Sequence, residues 1–176
     1  MDQMLSFDAI VFPADDRPPH LVSLMTSPLT MQISNMPEPF RCNRVPHAEM
    51  YMDYVADTLG PRAWSFQVVD QLEGMRQKFP TPYIAFYPIV SRDGMPFPVN
   101  KGIREIQGPK FNEAQAWRGN IIVAKYRDTG YYAMMDATIA DFPIVKNWFS
   151  TNLPDPRRLH EATAPPVTSF NPGQAF

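Results

Sequence analysis

Three histidines, His20, His47 and His160, and a lone cysteine, Cys42, are the side chains best suited to bind a metal or to act as base or nucleophile. No two histidines have HxH or HxxxH spacing. A structural zinc site needs about four Cys or His ligands at short spacings, so the sequence implies no bound metal and no cofactor. Cys42 stands five residues before His47, with Glu49 beyond. A Cys–His nucleophile requires contact and a third group that orients the base. Pro39 and Pro46 put this pair in a proline-rich loop, where an inert, half-buried cysteine is the simpler reading.

Glu49, Asp53 and Asp57 repeat at every fourth residue. On a helix they would share one face, where like charges cost a few tenths of a kcal/mol per pair. A solvated face explains them; a basic partner surface or a weak cation site is the functional alternative. Tyr83, Phe86, Tyr87, Tyr131, Tyr132, Met134 and Met135 could line an apolar pocket, although core packing accounts for them more simply. His47, Asp53, Tyr54, Tyr87 and Asp136 are the candidate polar groups of such a pocket. No GxGxxG, GxxxxGK[ST] or GxSxG motif occurs, so neither a nucleotide cradle nor a nucleophile elbow is indicated.

Charge divides unevenly. Residues 1–60 carry eight acids and three bases, whereas residues 61–130 carry six acids and ten bases. The bases Arg92, Lys101, Arg104, Lys110, Arg118, Lys125 and Arg127 alternate with Phe97, Phe111, Trp117 and Tyr126. Such interleaving can bind single-stranded nucleic acid, but no RNP-like or KH-like motif supports it. Attraction between the acidic and basic parts, within one chain or between copies, is the better reading. The net charge of −2 supplies no bulk field toward nucleic acid or a membrane surface.

The elements that must position these groups fall in three parts. Residues 1–46 hold seven prolines and read as an arm with short edge strands at Leu21–Met25 and Leu29–Ile33. Residues 47–152 read as the α+β core. Ala48, Met52, Val55 and Leu59 predict a helix over 47–59, ended by Gly60 and Pro61. Trp64, Val68, Leu72, Met75 and Phe79 predict a second helix within 62–79, with Trp64–Val69 as an alternative strand. Tyr83–Val90 reads as a strand buried on both faces. Met95, Phe97 and Val99 alternate with prolines in an edge-strand pattern. Asn120–Tyr126 reads as the central strand, turned by Arg127–Gly130 into Tyr131–Ala137. A last helix over 142–150 follows, with Asp141 as its cap and Pro143 in its first turn. The expected fold is a single α+β domain with a mostly antiparallel sheet and about three helices on one face. Residues 153–176 hold five prolines and read as an extended tail, with Leu159, Phe170 and Phe176 as interface anchors.

The stretches YPIVSRDGMPFPVNKGIREIQG, AWRGNIIVAKYRD and DFPIVKNWF resemble short uncharacterised proteins of mushroom-forming fungi. The resemblance spans about residues 60–150 and implies a soluble intracellular protein; it carries no activity.

Composition agrees with a packed domain. The 176 residues are 44% hydrophobic and 12% aromatic, against 20 prolines and 8 glycines. A chain of this size buries roughly 70% of its unfolded surface, enough for a core without disulfides. One cysteine forbids an intramolecular disulfide and fits a reducing, cytoplasmic compartment. The N-terminus lacks a basic, then apolar, leader pattern, and no apolar run approaches the length of a membrane span. The sequence therefore predicts a non-enzymatic, self-associating interaction protein, a homo-oligomer without nucleic-acid or membrane contacts. The alternative is a small cofactor-independent enzyme or small-molecule-binding protein with an aromatic pocket.

Overall fold

A computed structural model describes residues 5–28, 44–57, 59, 63–129 and 131–155. Among the described residues seven strands form one antiparallel sheet: β1 (Leu5–Phe12), β2 (His20–Pro28), β3 (Arg44–Pro46), β4 (Trp64–Val69), β5 (Tyr83–Pro88), β6 (Ile121–Thr129) and β7 (Tyr131–Met135). Their order is β3-β2-β1-β6-β5-β4, with β7 also on β6. β6 is the organising strand. One of its edges pairs with β5, and its other edge pairs first with β1 (Val11 opposite Ile122) and then with β7 (Tyr126 opposite Met134).

β6 can be apolar on both sides because both faces of the sheet are covered. Side chains alternate across a strand. Ile121 and Val123 join Ile10, Phe12, Tyr83 and Ala85 on one face. Ile122, Ala124 and Tyr126 join Ala9, Val11, Ile84 and Phe86 on the other. The first face is roofed by α1 (Lys101–Gln107) and α2 (Phe142–Thr151), through Ile103, Val145, Trp148 and Phe149. The second is covered by Val45, Ala48, Met52, Val55, Ala56 and Ala63, which belong to β3 and the segment leading to β4.

The α+β class and the antiparallel sheet match the sequence expectation; the helix count is two among the described residues. In place of the helix expected over 47–59 there is one tight turn, Ala48–Tyr51, then an isolated bridge from Val55 to Ser91 and tight-turn geometry again at Asp57 and Leu59. The apolar positions do point into the core, but a segment lying across a sheet meets that spacing as well as a helix does. The helix expected within 62–79 is replaced by β4, the alternative noted for Trp64–Val69. Aromatic and valine side chains favour a pleated surface, and β5 offers β4 a free edge. β2 lies between β1 and β3, but β3 pairs only with Thr26, Ser27 and Pro28, so among the described residues no strand covers the outer edge of Leu21–Met25. Residues 95–99 contribute only an isolated bridge, Val99 to Arg118. Of residues 1–46, the described part supplies β1, β2 and β3. Leu29–Ile33, Cys42, Leu159, Phe170 and Phe176 lie outside the described residues.

α1 was not anticipated, although its caps are written in the sequence. Asn100 Oδ1 accepts from the Ile103 amide at 3.1 Å, and Gly108 ends the helix at φ 54°. An Asn N-cap and a C-terminal glycine are the standard boundaries of a helix. α2 begins at Phe142 with Pro143 in its first turn, as expected. Asp141 serves the turn before it, accepting from the Thr138 amide at 2.7 Å.

Candidate functional site

Segment 47–57 joins β3 to β4 and carries three of the five candidate polar groups, His47, Asp53 and Tyr54. Backbone hydrogen bonds pin it at both ends. The His47 amide donates to Met25 O on β2 at 2.8 Å. Farther along, the Ala56 amide donates to Val90 O and the Arg92 amide to Tyr54 O, each at 2.8 Å. Ala48, Met52, Val55 and Ala56 face the core. Met50 and Tyr54 face out, 66% and 67% exposed.

Tyr54 has φ 62°. A bulky residue in the left-handed region is an outlier and costs roughly 1–2 kcal/mol. The burial of Val55 and Ala56 and the bond from Arg92 hold it there. Strain of this kind persists where surrounding structure over-determines it, and it concentrates at functional positions. Met95, on the turn after Arg92, is 64% exposed. Its backbone is fixed by Asp93, whose carboxylate accepts the Met95 amide at 3.0 Å, and by the Ser91 hydroxyl donating to Met95 O at 2.6 Å.

His47 sits between two polar side chains. Its Nδ1 lies 3.0 Å from Glu49 Oε1 and its Nε2 lies 2.8 Å from Ser27 Oγ. An ionised carboxylate only accepts hydrogen bonds, so Nδ1 carries the proton shared with Glu49. In the neutral ring Nε2 is then the acceptor, and the Ser27 hydroxyl donates to it. This polarity leads from hydroxyl to base to carboxylate.

The three acids do not form one stripe. Glu49 pairs with His47, Asp53 Oδ2 lies 3.5 Å from Asn120 Nδ2, and Asp57 lies 3.6 Å from Arg92 Nε. Asp57 and Arg92 are both largely exposed, so their attraction contributes little. Asn120 also donates to Tyr51 O at 2.8 Å and accepts the Ala14 amide at 2.8 Å, bridging β1's end to this segment. The Tyr51 hydroxyl donates to Ser23 O on β2.

Tyr87 and Asp136 lie elsewhere. Tyr87 is buried under the helices, edge-on to Trp117 with centroids 5.1 Å apart. Asp136 accepts the Asp8 amide at 2.9 Å, while the Ala137 amide donates to Asp8 O, joining the end of β7 to β1. His20 contacts Pro18 O at 2.9 Å, apart from His47's partners. Among the described residues no group of three or more His, Cys, Asp or Glu is placed to hold a metal ion, and no helix is long and apolar enough to cross a membrane.

A second titratable cluster lies under the helices. Buried Asp141 receives the Tyr83 hydroxyl at 2.6 Å, the Lys125 ammonium at 3.0 Å and the Thr138 amide. Burial pushes the Asp141 carboxyl up, but these three donors outweigh it and hold the group below the usual carboxylate range. Burial, then the neighbouring carboxylate, pushes the Tyr83 hydroxyl above its ordinary value. Every polar group here is matched, which marks a structural cross-brace of β5, β6 and α2.

The chain matches no protein family, no curated protein and no solved structure. Its functional reading therefore rests on the geometry of segment 47–57. The sequence singled out His47 and Glu49 but paired them with Cys42; it missed Ser27. A serine twenty positions away carries no local signal, because only the β2–β3 pairing brings it to the histidine.

Proposed function

We propose that this protein acts by self-association, with segment 47–57 and the 91–95 turn as its contact surface. Tyr54 carries the reading: an aromatic side chain held outward on a strained backbone, with Met50 and Met95 exposed on the same two hydrogen-bonded segments. Tyrosine is enriched among the residues that dominate interface energies, and methionine adapts to irregular partner surfaces. The adjacent charges of Asp57 and Arg92 offer both signs on one patch. Such a patch can meet its own copy about a two-fold axis, where each acid faces the other copy's base. Within the chain the same attraction is already used, by Lys101 with Asp16 at 3.1 Å.

Light scattering of the full chain at micromolar concentration tests this. The expected mass exceeds that of one 20.1 kDa chain. It falls to one chain in the Tyr54→Gly, Met50→Ser protein, and falls partly in high salt, where exposed charges are screened within a Debye length of a few Å. A single-chain mass for the unaltered protein in low salt rejects the reading.

A further inference from the structure

We propose that Ser27, His47 and Glu49 form a nucleophile–base–acid relay that hydrolyses small neutral esters, an activity separate from self-association. The three side chains are in the linear order such a relay needs, Oγ to Nε2 at 2.8 Å and Nδ1 to Oε1 at 3.0 Å. The acceptor-only carboxylate fixes the direction of both bonds, so the serine proton already points at the base. The same constellation recurs on unrelated folds and is recognised by geometry rather than by sequence order. It is also reachable: the His47 and Glu49 side chains are 27% and 38% exposed. The site lies beside the three-residue edge strand β3, at the margin of the sheet. The backbone bond from His47 to Met25 already fastens this turn to β2, so the side-chain relay is not required as a fastener.

Each step balances. Ser27 Oγ attacks the ester carbonyl carbon while its proton passes to His47 Nε2, and Glu49 stabilises the resulting imidazolium. The bond from carbonyl carbon to alkoxy oxygen breaks, and the leaving alcohol takes the proton from Nε2. Water then attacks the acyl-Ser27 ester and gives one proton to Nε2. Ser27 Oγ leaves as the acid forms and recovers its proton from Nε2. Ser27 and His47 are the catalytic residues; Glu49 is a positioning residue that acts through His47. The Glu49 carboxylate beside His47 disfavours anionic substrates, which is why the class is neutral esters.

The test uses the full chain with p-nitrophenyl acetate as substrate and a fluorophosphonate as serine-directed label. The label is expected on Ser27, located by peptide mass spectrometry, and is absent in Ser27→Ala. His47→Gln slows acylation about 100-fold or more, the usual share of a general base. Glu49→Gln lowers the turnover rate with the half-saturating ester concentration unchanged, a split that loss of mere scaffolding would not give. Absence of an adduct on Ser27 in the unaltered chain overturns the proposal. So does an unchanged labelling rate in a His47→Gln protein with an unaltered circular dichroism spectrum. If that variant does not fold, the unaltered chain decides by itself: an adduct on Ser27 sustains the relay, and an adduct only elsewhere rejects it.

Discussion

The Tyr83 hydroxyl donates to Asp141 Oδ1 at 2.6 Å beneath α2, and Lys125 Nζ reaches the same oxygen at 3.0 Å. Because the folded pKa of Asp141 is depressed, the stabilisation is complete above the unfolded value of about pH 4. It is lost as pH falls through the folded value. The raised pKa of Tyr83 acts at the other end: its contribution is complete below about pH 10 and is lost as pH rises toward the folded value. Asp141→Asn is expected to cost about 2–3 kcal/mol at pH 7, since it disturbs charge-assisted bonds at a buried site. It should also flatten the acid arm of stability, measured by urea unfolding between pH 7 and pH 2.5. Tyr83→Phe should flatten the alkaline arm. An acid arm unchanged by Asp141→Asn would mean that other carboxylates control acid unfolding.

Gly94 and Gly119 have nearly the same backbone, φ 73° and 74°, but different surroundings. A Cβ at 94 meets nothing within 4 Å, whereas one at 119 would lie 2.5 Å from Pro88 Cγ. Both alanine variants lose the left-handed freedom of glycine, about 1 kcal/mol. Gly119→Ala must also displace the Pro88 ring at the end of β5. Its melting temperature is expected to fall clearly further than that of Gly94→Ala. Equal losses would show that the chain around Pro88 yields without cost.

Tyr54→Gly should act in the opposite sense on the monomer. Glycine adopts φ 62° without penalty, and the tyrosine ring it removes is mostly exposed. Thermal unfolding of the dissociated protein should be unchanged or rise by a few degrees, roughly what 1 kcal/mol gives in a chain of this length. A marked drop would mean that the ring packs against its own chain.

Asn100 joins three elements. Its Oδ1 caps α1, and its Nδ2 donates to Phe12 O at 2.8 Å and Gly119 O at 2.9 Å, all in the buried interior. Asn100→Ala leaves these groups unpaired at about 1–3 kcal/mol each. Asn100→Asp should be at least as damaging, because a carboxylate there replaces a donor facing two carbonyl oxygens. Chemical denaturation of both variants gives the comparison; an Asp variant as stable as the native chain would refute the geometry.

Ile122 is fully buried on the central strand. Ile122→Asp places an unpaired charge in the core, expected to cost several kcal/mol and to abolish soluble expression. A normally melting Ile122→Asp protein would contradict the doubly covered sheet.

Local pattern determined part of this architecture. Ile121–Ala124 is apolar on both parities, and such a run has to be covered on both faces wherever it sits. The Phe142–Thr151 helix carries its own start signal in Pro143. These features depend on neighbours in sequence, so the sequence alone sufficed. The expected turn over Arg127–Gly130 is not one of them, because β6 continues through Thr129 against β7. Segment 47–57 could not be read that way. Ala48, Met52 and Val55 satisfy a helix and a loop draped over a sheet equally, and the left-handed Tyr54 is stable only because Val90 and Arg92 receive the chain there. Trp64–Val69 likewise became a strand because the edge of β5 was available to it. The meeting of Ser27 with His47 had no local cause at all. It follows from the β2–β3 register, in which Ser27 faces Val45 and His47, two residues farther along, reaches it diagonally. Hydrogen-bond partners separated along the chain are chosen by sheet pairing, and pairing is settled by which edges and faces the whole fold leaves to be covered.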